Sequence, residues 1–194
     1  VQVEIASDQP ELKSHAMTEP LVILVDENDN PKGVAGKMEA HKKALLHRAV
    51  SVFIINPEGK WILQRRAQDK YHSKGLWTNS CCTHPHPGES SLGAAHRRLR
   101  EEMGLECDLR ELFAFTYIEK LDNELTEHEF DHVFLGITGM KPVINTAEVE
   151  EWKAVSFDEL HNDIRENPDD YTYWFKMIYE RVNSHISENK HLPE

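Results

Sequence analysis

The segment Trp77-Thr-Asn-Ser-Cys-Cys-Thr-His-Pro85 sets two thiols beside an imidazole, and Glu101-Glu-Met-Gly104 follows with paired carboxylates. A soluble core needs none of these groups. His41, His47 and the run Glu127-His-Glu-Phe-Asp-His132 add enough donors to close a metal site. The set points to a metalloenzyme with a reactive cysteine.

Local conformation sorts these groups. Pro85 pushes His84 toward an extended conformation, and in an extended segment residues two apart share a face. Cys82 and His84 therefore point one way and Cys81 the other, so Cys82 is the candidate for chemistry and Cys81 for packing. The ordinary alternative is a buried structural cysteine, and a lone Cys-x-His pair also suits zinc. The same alternation puts Glu127, Glu129 and Asp131 on one face with Val133, Leu135 and Ile137. His128, Phe130 and His132 face the other way. Carboxylates leading into an apolar face need a cation or a hydrogen-bonding network; a solvated strand end is the plainer reading. With His41, His47 and His84, the pair Glu127 and Glu129 would form a nitrogen and oxygen set suited to Zn²⁺ or Mn²⁺. Spacing alone does not prove that these residues meet. On a helix, Arg98 and Glu102 are spaced for a surface ion pair, and Glu102, near the inward edge, could hold Mg²⁺ against a phosphate ligand.

The elements that must position these groups can be traced along the chain. At 194 residues the chain suits one well-buried domain. Leu21–Val25 is an apolar run closed by the turn cluster 26–31. Residues 48–56 read as a buried strand, Pro57-Glu-Gly-Lys60 as a turn, and 61–64 as the hairpin partner. Residues 68–75 read as a polar loop. Residues 90–103 read as a helix capped by Ser90 or Ser91 and stopped by Gly104, with the stripe Leu92, Ala95, Leu99 and Met103 turned inward. Strands are expected over 111–120 and 129–138, joined by a loop at Asp122 and Asn123, and over 152–155. Helices are expected over 157–166 and 171–186. This order implies an α/β sandwich with a mixed sheet.

Composition narrows the function. The net charge of −12 argues against a nucleic-acid binder. Lys60, Arg65, Arg66, Lys70 and Lys74, set against Asp69 alone, make a local basic patch that suits a small anion, although a solvated loop has the same composition. Three cysteines, two of them adjacent, suggest a reducing compartment and a cytoplasmic protein. No apolar run approaches the roughly 20 residues of a spanning helix, so no membrane role is expected. Residues 1–20 are expected to be an N-terminal extension, partly a trimmed or foreign terminus, with residues 21–194 forming a single domain.

The helix resembles a Nudix box. Glu89, Arg97, Leu99, Glu101, Glu102, Gly104 and Leu105 fill its positions, while Thr83 replaces its first glycine and Arg98 replaces a glutamate. Loss of that glutamate argues against the usual Nudix hydrolysis, which relies on a carboxylate cluster. Leu46-His-Arg-Ala, Trp77 to Pro85, Arg97 to Gly104 and Glu127 to His132 together resemble the type 1 isopentenyl-diphosphate isomerases over residues 21–174. That resemblance implies a Nudix-like α/β/α sandwich that shifts a double bond between isopentenyl and dimethylallyl diphosphate. It implies Cys82 and Glu129 as the acid/base pair, with Tyr117 bonded to Glu129. It implies one divalent metal (Mn, Zn or Mg) on His41, His47, His84, Glu127 and Glu129, and a second Mg²⁺ served by Glu102. Lys37, Arg66, Lys70 and Arg98 would hold the diphosphate, and Trp174 would face the hydrocarbon end, core packing being its alternative. The partner is then a small allylic or homoallylic diphosphate, and the chain a monomer or weak dimer. Three other readings remain: a nucleoside-diphosphate hydrolase, a non-enzymatic binding domain, and a thiol redox protein. The last is disfavoured by the diverging side chains of Cys81 and Cys82.

Overall fold

The computed structural model describes residues 19–70, 72–121 and 124–189. Its organising strand is β3 (His47–Ile55), a β-branched and aromatic run buried on both faces. It pairs in parallel with β8 (Thr126–Ile137), from His47 opposite Glu129 to Ile55 opposite Ile137. The other pairings within the sheet are antiparallel. They join β1 (Leu21–Val25) to β2 (Pro31–Gly36) and β3, and β6 (Cys81–Thr83) to β3. They also join β4 (Trp61–Arg66) to β3, β5 (Trp77–Thr78) and β9 (Val149–Val155), and β7 (Leu109–Lys120) to β8.

The period of two along β3 divides the interior. Val52 and Ile54 pack with Cys81 against α2 (Ser91–Met103) through Ala95, Leu99 and Met103. Phe53 and Ile55 pack on the other face against α3 (Phe157–Glu166) and α4 (Tyr173–Asn189), through Leu160, Phe175 and Ile178. Helices thus cover both faces of a mixed sheet, the expected α/β/α sandwich. Glu127, Glu129, Asp131, Val133 and Leu135 are all buried, as alternation requires.

Helix α2 begins where the Ser90 hydroxyl accepts a hydrogen bond from the Gly93 amide at 3.0 Å. It ends at Gly104, whose φ of 61° is the left-handed conformation favoured by glycine. A Cβ there would sit 2.7 Å from the Val143 carbonyl oxygen.

Several elements differ from expectation. Leu92 is exposed, and the inward stripe of α2 is instead Ala95, Leu99 and Met103, joined by Ala94 and Glu102. Ile137, the last residue of β8, is 60% exposed because the apolar face ends before it. β4 meets β3 only through Ile62 and Trp61, and its longer partnership is with β9. β2, β5, β6 and the short helix α1 (Lys37–Lys42) were not expected as elements. α1 has Gly36 at its N-cap with no side-chain cap, so no cap marks its start. The expected loop at Asp122 and Asn123 lies outside the described residues.

Candidate active site

Five elements converge on the α4 face of the sheet. α1 supplies His41, β3 supplies His47 and Ser51, and β6 brings Cys82 with His84 just beyond it. β8 supplies Glu127 and Glu129, while α4 closes the space with Trp174. The cavity they line, about 250 Å³, also meets Lys37, Arg66, Lys70, Arg98 and Tyr117.

His41, His47, His84 and Glu129 each place one donor atom within 4.8 Å of the others. Two of the imidazoles are oriented by the backbone. Nδ1 of His41 is bonded to the Lys37 carbonyl at 2.6 Å and Nδ1 of His47 to the Leu45 carbonyl at 2.8 Å, which leaves each Nε2 facing the cluster. His84 Nε2 lies 3.2 Å from His47 Nε2 and 2.8 Å from Glu129 Oε1. Burial, with the Lys37 ammonium nearby, drives His84 well below the usual imidazole range, into the neutral form that ligates metals. Buried, backbone-anchored nitrogens around a carboxylate fit a divalent cation.

Glu127 stands at the edge of this cluster. Its Oε1 lies 3.8 Å from His41 Nε2, and its Oε2 accepts from the Tyr117 hydroxyl at 3.0 Å. The same Tyr117 hydroxyl proton is shared with Glu129 Oε2 at 2.7 Å, the shorter of the two contacts. Burial alone would raise the Glu129 carboxyl, but His47 and the Tyr117 hydroxyl outweigh it and bring it down to about 2.

The adjacent cysteines divide as alternation predicts. Cys81 is fully buried against α2, while Cys82 lines the cavity. The Cys82 thiol donates to Asn79 Oδ1 at 3.2 Å and lies 3.7 Å from the Ser51 hydroxyl. Burial and the Asp131 carboxylate push this thiol up to about 12, so it is protonated at neutral pH. Asp131 accepts from Ser51 at 2.7 Å and is itself held well above the usual carboxylate range by burial and Glu129. The sequence reading gave Ser51 and Asn79 no role, and it placed Asp131 on the interior face, where it is buried, without giving it a partner.

The second charged group sits on α2. Arg98 Nη2 lies 2.6 Å from Glu102 Oε1 and 2.7 Å from Glu148 Oε2, and Lys70 pairs with the same Glu148 carboxylate. Glu102 also accepts from Gln64 Nε2 at 2.7 Å. Arg98 thus pairs with carboxylates that the glutamate it replaces would have repelled. Burial pulls the Lys37 ammonium down to about 8 against the carboxylates of Glu127 and Glu129. Arg66 is buried, with its guanidinium 5.4 Å from the Trp174 ring. Trp174 is buried too, and its Nε1 has no hydrogen-bond partner among the described residues.

A mixed-sheet sandwich carrying an acid and arginine cluster on α2, beside a buried imidazole and carboxylate cluster, defines a Nudix-type enzyme. Residues 45–175 match the NUDIX domain family. Solved structures share the fold. A Deinococcus radiodurans protein superposes with a TM-score of 0.68 at 19% identity, over 82% of this chain and 98% of that one. A MutT protein from Methanosarcina mazei gives 0.58 at 21% identity, over 75% and 96%. Relatives in sequence are closer. Isopentenyl-diphosphate Delta-isomerase 2 of Aromatoleum aromaticum is 51% identical over 88% of this chain and 90% of its own length. The isopentenyl-diphosphate Delta-isomerase of Pectobacterium atrosepticum is 51% identical over 83% and 90%, and that of Aliivibrio fischeri 38% over 89% and 99%. The chain belongs to the isopentenyl-diphosphate Delta-isomerase family, a branch of the Nudix fold.

Proposed function

We infer that this chain interconverts isopentenyl diphosphate and dimethylallyl diphosphate in isoprenoid biosynthesis. The observation that carries this reading is the meeting of a thiol and a carboxylate, Cys82 and Glu129, in one cavity of about 250 Å³ that also holds an indole and several cations.

The reaction adds a proton to one carbon of an unactivated alkene and removes another from a nearby carbon. It needs an acid and a base that reach different carbons. Cys82 and Glu129 fill those roles, and at neutral pH the free site presents a thiol that can donate and a carboxylate that can accept. Tyr117 holds Glu129 through one oxygen and leaves the other directed to the imidazoles. Protonation produces a tertiary carbocation or a state close to it, which water would trap as an alcohol, so the site must exclude solvent. Trp174, buried in the cavity wall, stabilises that charge with its ring face by about 2 kcal/mol when desolvated.

His41, His47, His84, Glu127 and Glu129 would hold one divalent metal, Mn²⁺, Zn²⁺ or Mg²⁺, and Glu102 a Mg²⁺ that arrives with the diphosphate. When bound, the first metal would supply positive charge beside Glu129, and the second would offset the charge of the diphosphate. Lys37, Arg66, Lys70 and Arg98 bind the phosphate oxygens, with the planar Arg forks suited to paired contacts. The reading extends to a cytoplasmic monomer or weak dimer whose residues 21–194 act as one unit. Among the described residues no helix is long and apolar enough to cross a membrane.

Incubation with isopentenyl diphosphate and Mg²⁺ is expected to yield dimethylallyl diphosphate. Release of phosphate from nucleoside diphosphate derivatives, without any isomerisation, would assign hydrolysis instead.

A further inference from the structure

We propose that His72 is a positioning residue that holds Glu127 for the metal and ties the phosphate-binding loop to the metal centre. The proposal rests on the metal reading given above. His72 lies in the loop between β4 and β5, two residues past Lys70, where no periodicity marks it. It is nevertheless buried and lines the cavity. Its Nε2 lies 3.1 Å from Glu127 Oε1, and its Nδ1 lies 3.1 Å from the Ser73 hydroxyl. A hydroxyl donating to Nδ1 leaves the ring proton on Nε2, facing the carboxylate.

The two oxygens of Glu127 are thereby held by different elements. Tyr117 of β7 holds Oε2 and the loop holds Oε1, on the side turned toward His41. A carboxylate oxygen has two lone pairs, so Oε1 can keep His72 while it serves a metal. Outer contacts of this kind orient ligating carboxylates.

The loop is built to hold this ring in place. Ser73 has a φ of 48°, a left-handed conformation that costs a non-glycine residue energy and persists only when its surroundings impose it. Arg66 Nη2 donates to the His72 carbonyl at 3.3 Å, and the Gly75 amide donates to the Arg66 carbonyl at 3.0 Å. The His72 ring meets Trp174 edge-on at 5.8 Å, and the Arg66 guanidinium lies over that same indole. One loop therefore carries Lys70 and His72, is braced by Arg66, and touches the indole, so phosphate contacts and metal geometry share a support.

The test is Mn²⁺ titration of metal-stripped protein by calorimetry, for wild type, His72→Ala and His72→Gln. The Gln amide nitrogen reaches roughly where the imidazole Nε2 stands. Wild type should bind, and His72→Ala should bind at least about fivefold and up to a hundredfold more weakly. His72→Gln should recover most of the loss, with all three proteins melting alike. An Ala variant that loses less than about fivefold, or a Gln variant as weak as Ala, overturns the proposal. Wild type that fails to bind Mn²⁺ at all would remove the metal centre itself and the proposal with it.

Discussion

Two carboxylate clusters stand at this cavity, one in its wall and one paired to the cations that line it, and they differ in what they touch. Glu127 and Glu129 meet imidazole nitrogens and the Tyr117 phenol. Glu102 and Glu148 meet the Arg98 guanidinium and the Lys70 ammonium. The same side chain thus serves two ends. Where its neighbours are imidazole nitrogens and a phenol, its oxygens stay directed at a cluster of donors that fits a metal ion. Where its neighbours are a guanidinium and an ammonium, the carboxylate is already ion-paired, and a diphosphate bound there as proposed would take over the contacts that Glu148 now holds.

Chelation should separate the two clusters most sharply. Stripping divalent metal should abolish isomerisation and lower the melting temperature by about 5–10 °C relative to protein carrying metal at a hundredfold over its Kd. Pyrophosphate binding through Arg98 and Lys70 should survive in part. Equal melting with and without metal would break the distinction.

Next in size is the pH response of Cys82. Because its pKa is raised to about 12, the thiolate fraction grows about tenfold per pH unit through the accessible range. Alkylation of the ligand-free protein should therefore climb from pH 7 to 10 without a plateau, and mass mapping should find the label on Cys82 rather than on Cys81, which is fully buried. A plateau near neutrality would show an activated thiolate.

With Arg98 on the diphosphate as proposed, Arg98→Gln should raise KM about 10- to 100-fold while leaving kcat within a few fold. A fall in kcat at constant KM would move Arg98 from binding to chemistry. The smallest effect is expected for Trp174→Leu, which keeps the apolar wall but loses the ring face. Its kcat should fall by about 2- to 30-fold, measured at saturating substrate.

The division between Cys81 and Cys82 was legible because an extended chain alternates, and β6 is extended. The inward carboxylates of β8 were legible for the same reason. The metal set was not legible from spacing, since its members come from α1, β3, β8 and the segment after β6. Only the resemblance to a known family joined them. His72 carried no signal at all, because its burial depends on a loop with a left-handed serine. β2 was unreadable because it begins at Pro31 and keeps its first four residues exposed. Leu92 misled the reading of α2 because helical spacing places it near the inward stripe, although it sits in the first turn, where that stripe has not yet reached the sheet.

The central claim is that Cys82 and Glu129 carry both proton transfers. Isopentenyl diphosphate turned over in heavy water reports on both at once by mass spectrometry and proton NMR. Wild type should give dimethylallyl diphosphate with solvent deuterium in its new methyl group, whereas folded Cys82→Ala and Glu129→Gln should give neither product nor exchange beyond about a hundredth of the wild-type rate. Wild-type rates of deuterated product from either variant would contradict the account.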